Sequence, residues 1–166
     1  MSVRRVVADV ALVVTLIALV ACTSGSSGSS GPLEGSFGRF DGSTTSFTSF
    51  RGKPVVMNFF SSTCIPCQSE MPALEQVHQT LGDQVTFLGM DVQDTVEGGK
   101  AFVATVGITW ELGRDPNAEI LQGQVHGTVL PTTVILDRDG KIVFTHAGPL
   151  DVGGLTNVLR DKHLIK

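Results

Sequence analysis

The sequence predicts an α/β fold in which helices flank a central mixed β-sheet. Apolar runs of strand length lie at residues 55–60, 85–90 and 132–136. Between the first two, apolar residues recur at helical spacing over residues 74–81, which predicts a helix with one buried stripe. Turn residues after the third run indicate a closing hairpin. Helical connections favour parallel strands and a hairpin gives antiparallel ones, so the sheet is expected to be mixed.

Length and composition point to one ordinary globular domain behind an N-terminal extension. The chain has 166 residues, of which 42% are hydrophobic and 17% charged. Its formal net charge is -4, and no basic block stands out. Nucleic-acid binding, which needs many phosphate contacts from basic side chains, is therefore not expected.

The first 21 residues have the pattern of an export signal. Arg4 and Arg5 precede an apolar run over residues 10–20. This run is shorter than the ~20 residues that a membrane-spanning helix needs, so residues 1–21 are interpreted as a signal peptide. The alternative is an uncleaved signal anchor.

The end of this segment resembles the bacterial lipobox. Leu19-Val20-Ala21 precede Cys22, and Ser and Gly dominate the residues that follow. The resemblance implies that Cys22 becomes a lipidated N-terminus, where each buried methylene of the acyl chains contributes about 0.8 kcal/mol to membrane binding. Residues 22–35 are then the lipidated cysteine and a flexible tether, and residues 36–166 the folded domain.

The first half of the domain shows three further signals. A turn at residues 41–43 predicts a small hairpin over residues 37–47. The run at 55–60 is apolar on both faces, which is typical of a central strand covered on both sides. Pro72 lies early in the predicted helix and is expected to kink it.

The second half continues the alternation. A helix is expected around residues 100–106, a short strand at 110–115, one or two helical turns at 118–122, and a hairpin partner for the third run at 142–145. Asp151 is a suitable N-cap for a last helix, whose inward side holds Val152, Leu155 and Leu159.

The motif Cys64-Ile65-Pro66-Cys67 carries the chemistry. It follows a buried strand and opens a helix, where free backbone N–H groups and the helix dipole stabilise a thiolate. In such motifs the cysteine pKa falls from ~8.5 to between ~3.5 and ~7.5. Cys64 is predicted to be the attacking nucleophile, and Cys67 the residue that resolves the mixed disulfide.

A cysteine pair at this spacing has two other uses in proteins. A permanent structural disulfide is one, although so short a ring removes little entropy from the unfolded chain. Half of a zinc site is the other, but it needs four ligands, and the four histidines are far apart in sequence. No metal and no cofactor are therefore expected.

The motifs together resemble the membrane-anchored, thioredoxin-like proteins often called TlpA-like. The matching stretches are residues 51–60, 64–72 and 130–140, and the resemblance extends from about Phe37 to the end. It implies a thioredoxin fold, with residues 91–115 as a strand–helix insert. It also implies thiol–disulfide oxidoreductase activity in a lipoprotein of the bacterial cell envelope, outside the cytoplasm.

The resemblance also assigns substrate-binding residues. It implies that Pro131 is a cis-proline facing the cysteine pair, and that the backbone of Leu130 pairs with the substrate peptide, with Thr132 beside it. The alternative is an ordinary trans proline at a strand edge.

Glu70 matches a family glutamate near the buried cysteine. There it is placed to accept the proton that Cys67 loses before resolution, and partial burial would raise its pKa. The alternative is an exposed glutamate that favours the first helical turn. Two residues depart from relatives: Asn58 replaces the buried Asp of plain thioredoxin, and Thr63 replaces a Trp common in the family.

The predicted function is dithiol–disulfide exchange with cysteine-containing exported proteins, either as an oxidant or as a reductant of the cytochrome c maturation type. A reductant outside the cytoplasm needs a membrane redox partner, and the protein is expected to act as a monomer. Two alternatives remain open: a peroxidase of related fold, and a copper carrier that uses both thiolates with a histidine such as His126.

Overall fold

The computed structural model describes residues 31–166, and the predicted signal peptide, Cys22 and most of the predicted tether lie outside this range. The strands are β1 Ser36–Gly38, β2 Thr44–Ser46, β3 Val55–Phe60, β4 Thr86–Val92, β5 Glu111–Asp115, β6 Thr132–Leu136 and β7 Ile142–Ala147. The helices are α1 Ile65–Leu81, α2 Val96–Val106 and α3 Val152–Asp161.

The strands form one mixed sheet in the order β2-β1-β5-β4-β3-β6-β7. β4 pairs in parallel with β3 and β5, since α1 and α2 are the crossover connections between them. β6 and β7 pair antiparallel next to β3. The predicted mixed sheet with flanking helices is confirmed, and it is a thioredoxin-like fold.

The core consists of two apolar layers, one on each face of the sheet. Residues of β3 alternate between them with the period of two expected for a strand: Phe59 belongs to one layer and Phe60 to the other. The Phe60 layer contains the buried faces of α1, α2 and α3. The other contains the hairpin and the segments around Phe47 and Ile120. All six residues of β3 are buried, as predicted for a central strand.

Several predicted boundaries differ from the observed ones. α2 begins at Val96 rather than near residue 100, because Thr95 caps it by accepting from Gly98 N. The helical turns expected at 118–122 form a π-helical segment, Glu119–Gln124. Pro72 lies inside α1, which continues on both sides of it.

Contacts to the folded domain begin a few residues before the predicted boundary at residue 36. Leu33 is buried in the core, and its N–H donates to the carbonyl of Gly140 at 2.8 Å. Pro32 forms a β-bridge with Lys141. The end of the predicted tether therefore belongs to the folded domain, because one apolar residue after the Ser/Gly stretch is sufficient to anchor it.

Phe60 provides a direct test of the core. Its ring is fully buried and stacks on Phe102 with centroids 5.4 Å apart. Phe60→Ala is expected to lower the free energy of unfolding by about 3–5 kcal/mol, because it leaves a cavity under α2. Urea denaturation measures the loss. Ile65→Ala, at an exposed position, is the control and is expected to change stability by less than about 0.5 kcal/mol; equal effects would contradict the assignment of the core.

Candidate active site

The cysteine pair lies where β3 passes into α1. After a short loop, Cys64 is the N-cap of α1, and its Sγ accepts a hydrogen bond from the backbone N–H of Cys67 at 3.2 Å. The two cysteines form a disulfide with their Cα atoms 5.2 Å apart. The sequence prediction of a Cys-X-X-Cys pair at a helix N-terminus is confirmed. The same N–H that contacts sulfur here is available to stabilise a Cys64 thiolate.

The two sulfurs differ in accessibility. Cys64 is partly exposed, whereas Cys67 is fully buried. A partner thiolate can therefore approach Cys64, and the buried sulfur is left to react within the molecule. This asymmetry has the form needed for one attacking and one resolving cysteine.

The loop before β6 meets the cysteines at the same end of the sheet. Phe59 near the end of β3 pairs with Thr132 at the start of β6. The bond between Leu130 and Pro131 is cis, as predicted, and Leu130 packs against the apolar layer that contains the cysteines. The Thr132 hydroxyl donates to the carbonyl of Val129 at 2.7 Å, which braces this loop.

Glu70 is buried one helical turn after Cys67, with 2% of its surface exposed. Its carboxylate accepts from the backbone N–H of Leu150 at 2.9 Å and from Asn58 Nδ2 at 3.1 Å, while Thr133 Oγ1 lies at 3.5 Å. Burial raises the pKa of Glu70 above its ordinary value, although these hydrogen bonds partly oppose the shift. The alternative of an exposed glutamate is therefore wrong.

The two departures from relatives shape the surroundings of the pair. Asn58 is buried and acts as a donor to Glu70 and Thr133, so it orients the carboxylate rather than titrating beside it. Thr63 is exposed, and its hydroxyl lies 3.1 Å from that of Ser61. The rim before Cys64 is thus small and polar.

Two of the histidines line cavities on different parts of the surface. His146 lines a cavity of about 470 Å³ that also contacts Glu70 and Leu150, and His126 lines a different cavity beside Pro32. Within residues 31–166, no group of three or more His, Cys, Asp or Glu side chains is arranged to hold a metal ion. In the same range, no helix has both the length and the apolar character to cross a bilayer.

One group of functional interest was missed from the sequence. Asp91 is a buried acid at the end of β4, beside Asp94 and the loop that precedes Cys64. The predicted strand ends at Met90, two residues before the observed end of β4 at Val92. The signal was an acidic residue inside a strand that was otherwise apolar.

Fold and site together define a thioredoxin-fold protein with a Cys-X-X-Cys disulfide at a helix N-terminus. The profile of the AhpC/TSA family matches residues 33–145, and the chain belongs to that family.

Named relatives and solved structures agree with this class. The chain is 29% identical over 105 residues to the thiol-disulfide oxidoreductase ResA of Bacillus thuringiensis, a match that covers 62% of this chain and 60% of ResA. It is 29% identical over 112 residues to the thioredoxin-like protein YneN of Bacillus subtilis, covering 66% of this chain and 65% of YneN. The matches thus span somewhat less than two thirds of these relatives.

Among solved structures, DsbF of MTB superposes with a TM-score of 0.71 at 26% identity, covering 80% of this chain and 96% of DsbF. A DsbF homologue from Corynebacterium diphtheriae superposes with a TM-score of 0.69 at 27% identity, covering 79% of this chain and 85% of the homologue.

Proposed function

We propose that this protein is a thiol–disulfide oxidoreductase that exchanges disulfides with exported proteins through Cys64 and Cys67. The observation that carries the proposal is the unequal accessibility of two bonded sulfurs at the N-terminus of α1. The relatives named as thiol-disulfide oxidoreductases support it. The test is catalysis of disulfide exchange with a model protein disulfide. Hydrogen peroxide in place of that disulfide distinguishes the peroxidase alternative.

In the reductive direction, the Cys64 thiolate attacks one sulfur of the partner disulfide. That S–S bond breaks, a mixed disulfide forms, and the released partner thiolate takes up a proton. Glu70 then accepts the proton of Cys67, whose thiolate attacks the Cys64 sulfur. The second partner thiolate leaves, so two electrons have passed to the partner and the Cys64–Cys67 bond has formed. The oxidative direction is the reverse.

Leu130, Pro131 and Thr132 are proposed to bind the partner peptide beside Cys64. The strongly exposed large hydrophobic side chains within residues 31–166 are Ile65 at 77% and Val129 at 49%. One adjoins Cys64 and the other adjoins Leu130, so both flank the proposed peptide site. Exposed apolar groups at this place favour partner segments with apolar residues next to the cysteine, as in chains that are not yet folded.

The direction of exchange is set by the reduction potential of the pair. An oxidant inserts disulfides into newly exported chains. A reductant keeps selected cysteines reduced, as cytochrome c maturation requires, and needs a membrane redox partner for electrons. In either role we propose that the protein needs no metal or organic cofactor, because the cysteine pair itself carries both electrons. We also propose that it acts as a monomer.

Membrane attachment is proposed to depend on Cys22. Cys22→Ala removes the sulfur that a diacylglycerol thioether requires, so most of the protein is expected to move from the membrane fraction to the soluble fraction. Immunoblotting of fractionated cells of a lipoprotein-processing bacterium measures this. Thr23→Ala is the control and is expected to stay with membranes; unchanged attachment of Cys22→Ala would support an uncleaved signal anchor instead.

A further inference from the structure

A buried acid lies directly behind the loop that leads to Cys64. Asp91 is 1% exposed, and it pairs in register with Phe60, the last residue of β3. The residues that follow Phe60 are Ser61–Thr63, so the end of β4 and this loop are neighbours. Cys64 N donates to Ser61 O at 3.1 Å, which makes the loop a tight turn into the cysteine.

A second acid, Asp94, holds this loop. Its carboxylate accepts from the backbone N–H of Ser62 and, at 2.8 Å, from the Ser62 hydroxyl. The backbone carbonyl of Asp94 in turn accepts from Arg114 Nη2 at 2.8 Å. Asp94 therefore connects the loop before Cys64 to β5.

The two acids are neighbours that share Arg114: its Nη2 donates to the Asp94 carbonyl at 2.8 Å, its Nε lies 3.9 Å from Asp91 Oδ2, and the Asp94 carboxyl group acts on that of Asp91 to raise its pKa. Neither carboxyl oxygen of Asp91 receives a hydrogen bond from a donor group among the described residues, and Arg114 Nε stays 3.9 Å from Oδ2. A buried carboxyl group that receives no hydrogen bond and has a second acid beside it is more stable with a proton than as an anion.

The surroundings of Asp91 are closed and weakly charged. A Cβ on Gly99 would overlap the Asp91 carboxyl group, so α2 offers no side chain there, and Phe40 covers the same place. Asp94 and Arg114 are the charged groups that act on it. Burial, with the contact and charge of Asp94, raises the pKa of Asp91 to about 8, while Arg114 opposes the shift.

We propose that Asp91 and Asp94 share one proton, and that this acid pair positions the loop of Ser62 and thereby the sulfur of Cys64. Asp91 donates the shared proton in a hydrogen bond to Asp94. The other lone pairs of the Asp94 carboxylate accept from the backbone N–H and the hydroxyl of Ser62. When the proton leaves, the two charges repel each other and Asp94 releases the loop. The functional part rests on the proposed exchange activity, since its consequence is a change in how readily Cys64 is attacked.

The sharing of the proton is tested in the oxidised protein, where neither cysteine titrates. The amide proton resonance of Ser62, followed by NMR from pH 6 to 10, is expected to shift with a midpoint near 8 and to report loss of its carboxylate acceptor. Asp91→Asn remains neutral and still donates to Asp94, so its Ser62 resonance is expected to show no such transition. Absence of the transition in the wild type, or its persistence in this variant, overturns the proposal.

A second variant covers the case in which Asp91→Asn does not fold. Asp94→Asn removes the carboxylate that accepts from Ser62, so the Ser62 amide resonance of this variant is expected to show no transition near pH 8; a transition that persists unchanged overturns the proposal. Asp115→Asn is the matched control. Asp115 is also buried, but it accepts from the backbone N–H groups of Ile120 and Leu121, away from the loop. Its substitution is expected to leave the Ser62 transition in place.

The positioning role is tested by the rate at which dithiothreitol reduces the Cys64–Cys67 disulfide, divided by the thiolate concentration of the reagent. In the wild type this normalised rate is expected to change with a midpoint near pH 8, and in Asp91→Asn the inflection is expected to be lost. If the normalised rate in the wild type does not change with pH while the Ser62 amide resonance does, the proposed positioning of Cys64 by the acid pair is overturned. Failure of the proposed function is seen separately, as absence of catalysed exchange while the Ser62 transition is intact.

Discussion

Cys64→Ser is expected to reduce catalysed disulfide exchange to the uncatalysed background. A serine hydroxyl at this position is not ionised near neutral pH, so it cannot attack a partner disulfide as the thiolate does. The fold is expected to be unchanged, because the side chain is partly exposed and Ser is itself a good N-cap. Reduction of a model protein disulfide, followed by separation of thiol and disulfide forms, measures the loss.

Cys67→Ser is the matched variant and has a different expected outcome. Cys64 remains able to attack, but no buried thiolate is present to resolve the product, so mixed disulfides with partner proteins accumulate. Non-reducing gels of cells that express the variant show them as bands sensitive to reductant. The assignment of roles is contradicted if Cys64→Ser traps partners and Cys67→Ser does not.

Glu70→Gln is expected to slow resolution of the mixed disulfide by about 100-fold, the lower end of what a positioned acid or base contributes. Formation of the mixed disulfide by Cys64 is expected to be unaffected. In the wild type, resolution should accelerate as pH rises through the raised pKa of Glu70, because only the ionised carboxylate accepts the proton of Cys67. The glutamine variant should lack this inflection. Single-turnover measurements over a range of pH separate the two steps.

Glu75→Gln is the control for this prediction. Glu75 is a buried glutamate on the same helix, but its carboxylate accepts from Thr109, whereas that of Glu70 accepts from Asn58. Its substitution is expected to leave the resolution rate unchanged. The role assigned to Glu70 is contradicted if both variants slow resolution equally, or if Glu70→Gln slows the first step instead.

The raised pKa of Glu70 also has a consequence for stability. A carboxyl group with a folded-state pKa above its unfolded value stabilises the fold fully below the unfolded pKa, and this contribution is lost as pH rises through the folded pKa. Glu70→Gln should therefore flatten the decline of stability above about pH 4.5, the ordinary pKa of a glutamate. The glutamine side chain can be accommodated because Asn58 Oδ1 has no hydrogen-bond partner among the described residues. If the Asn58 amide rotates, Oδ1 can accept a hydrogen bond from the new glutamine N–H group.

Elements with strong local signals could be predicted from the sequence. The six apolar residues of β3 identified a central strand, and Asp151 identified the start of α3, where its side chain accepts from Gly154 N. The location of the cysteine pair between a strand and a helix could also be predicted, because it depends on residues that are adjacent in the chain.

Contacts between distant segments could not be predicted in the same way. Leu150 N reaches Glu70 across 80 residues of sequence, and no periodicity reports that approach. Leu33 appeared to lie in a polar tether because its partner, Gly140, is remote in sequence. Asp91 was missed because burial of an acid depends on the closeness of Gly99 and Phe40, which only the assembled fold creates.

The reduction potential of the Cys64–Cys67 pair, measured against a glutathione buffer, tests the central claim most directly. A catalytic pair is expected between about -120 mV, as in a strong oxidant, and about -270 mV, as in thioredoxin. The first limit would assign disulfide formation, and the second would assign reduction with a membrane electron donor. A potential below about -300 mV, typical of structural disulfides, would contradict the proposed exchange activity.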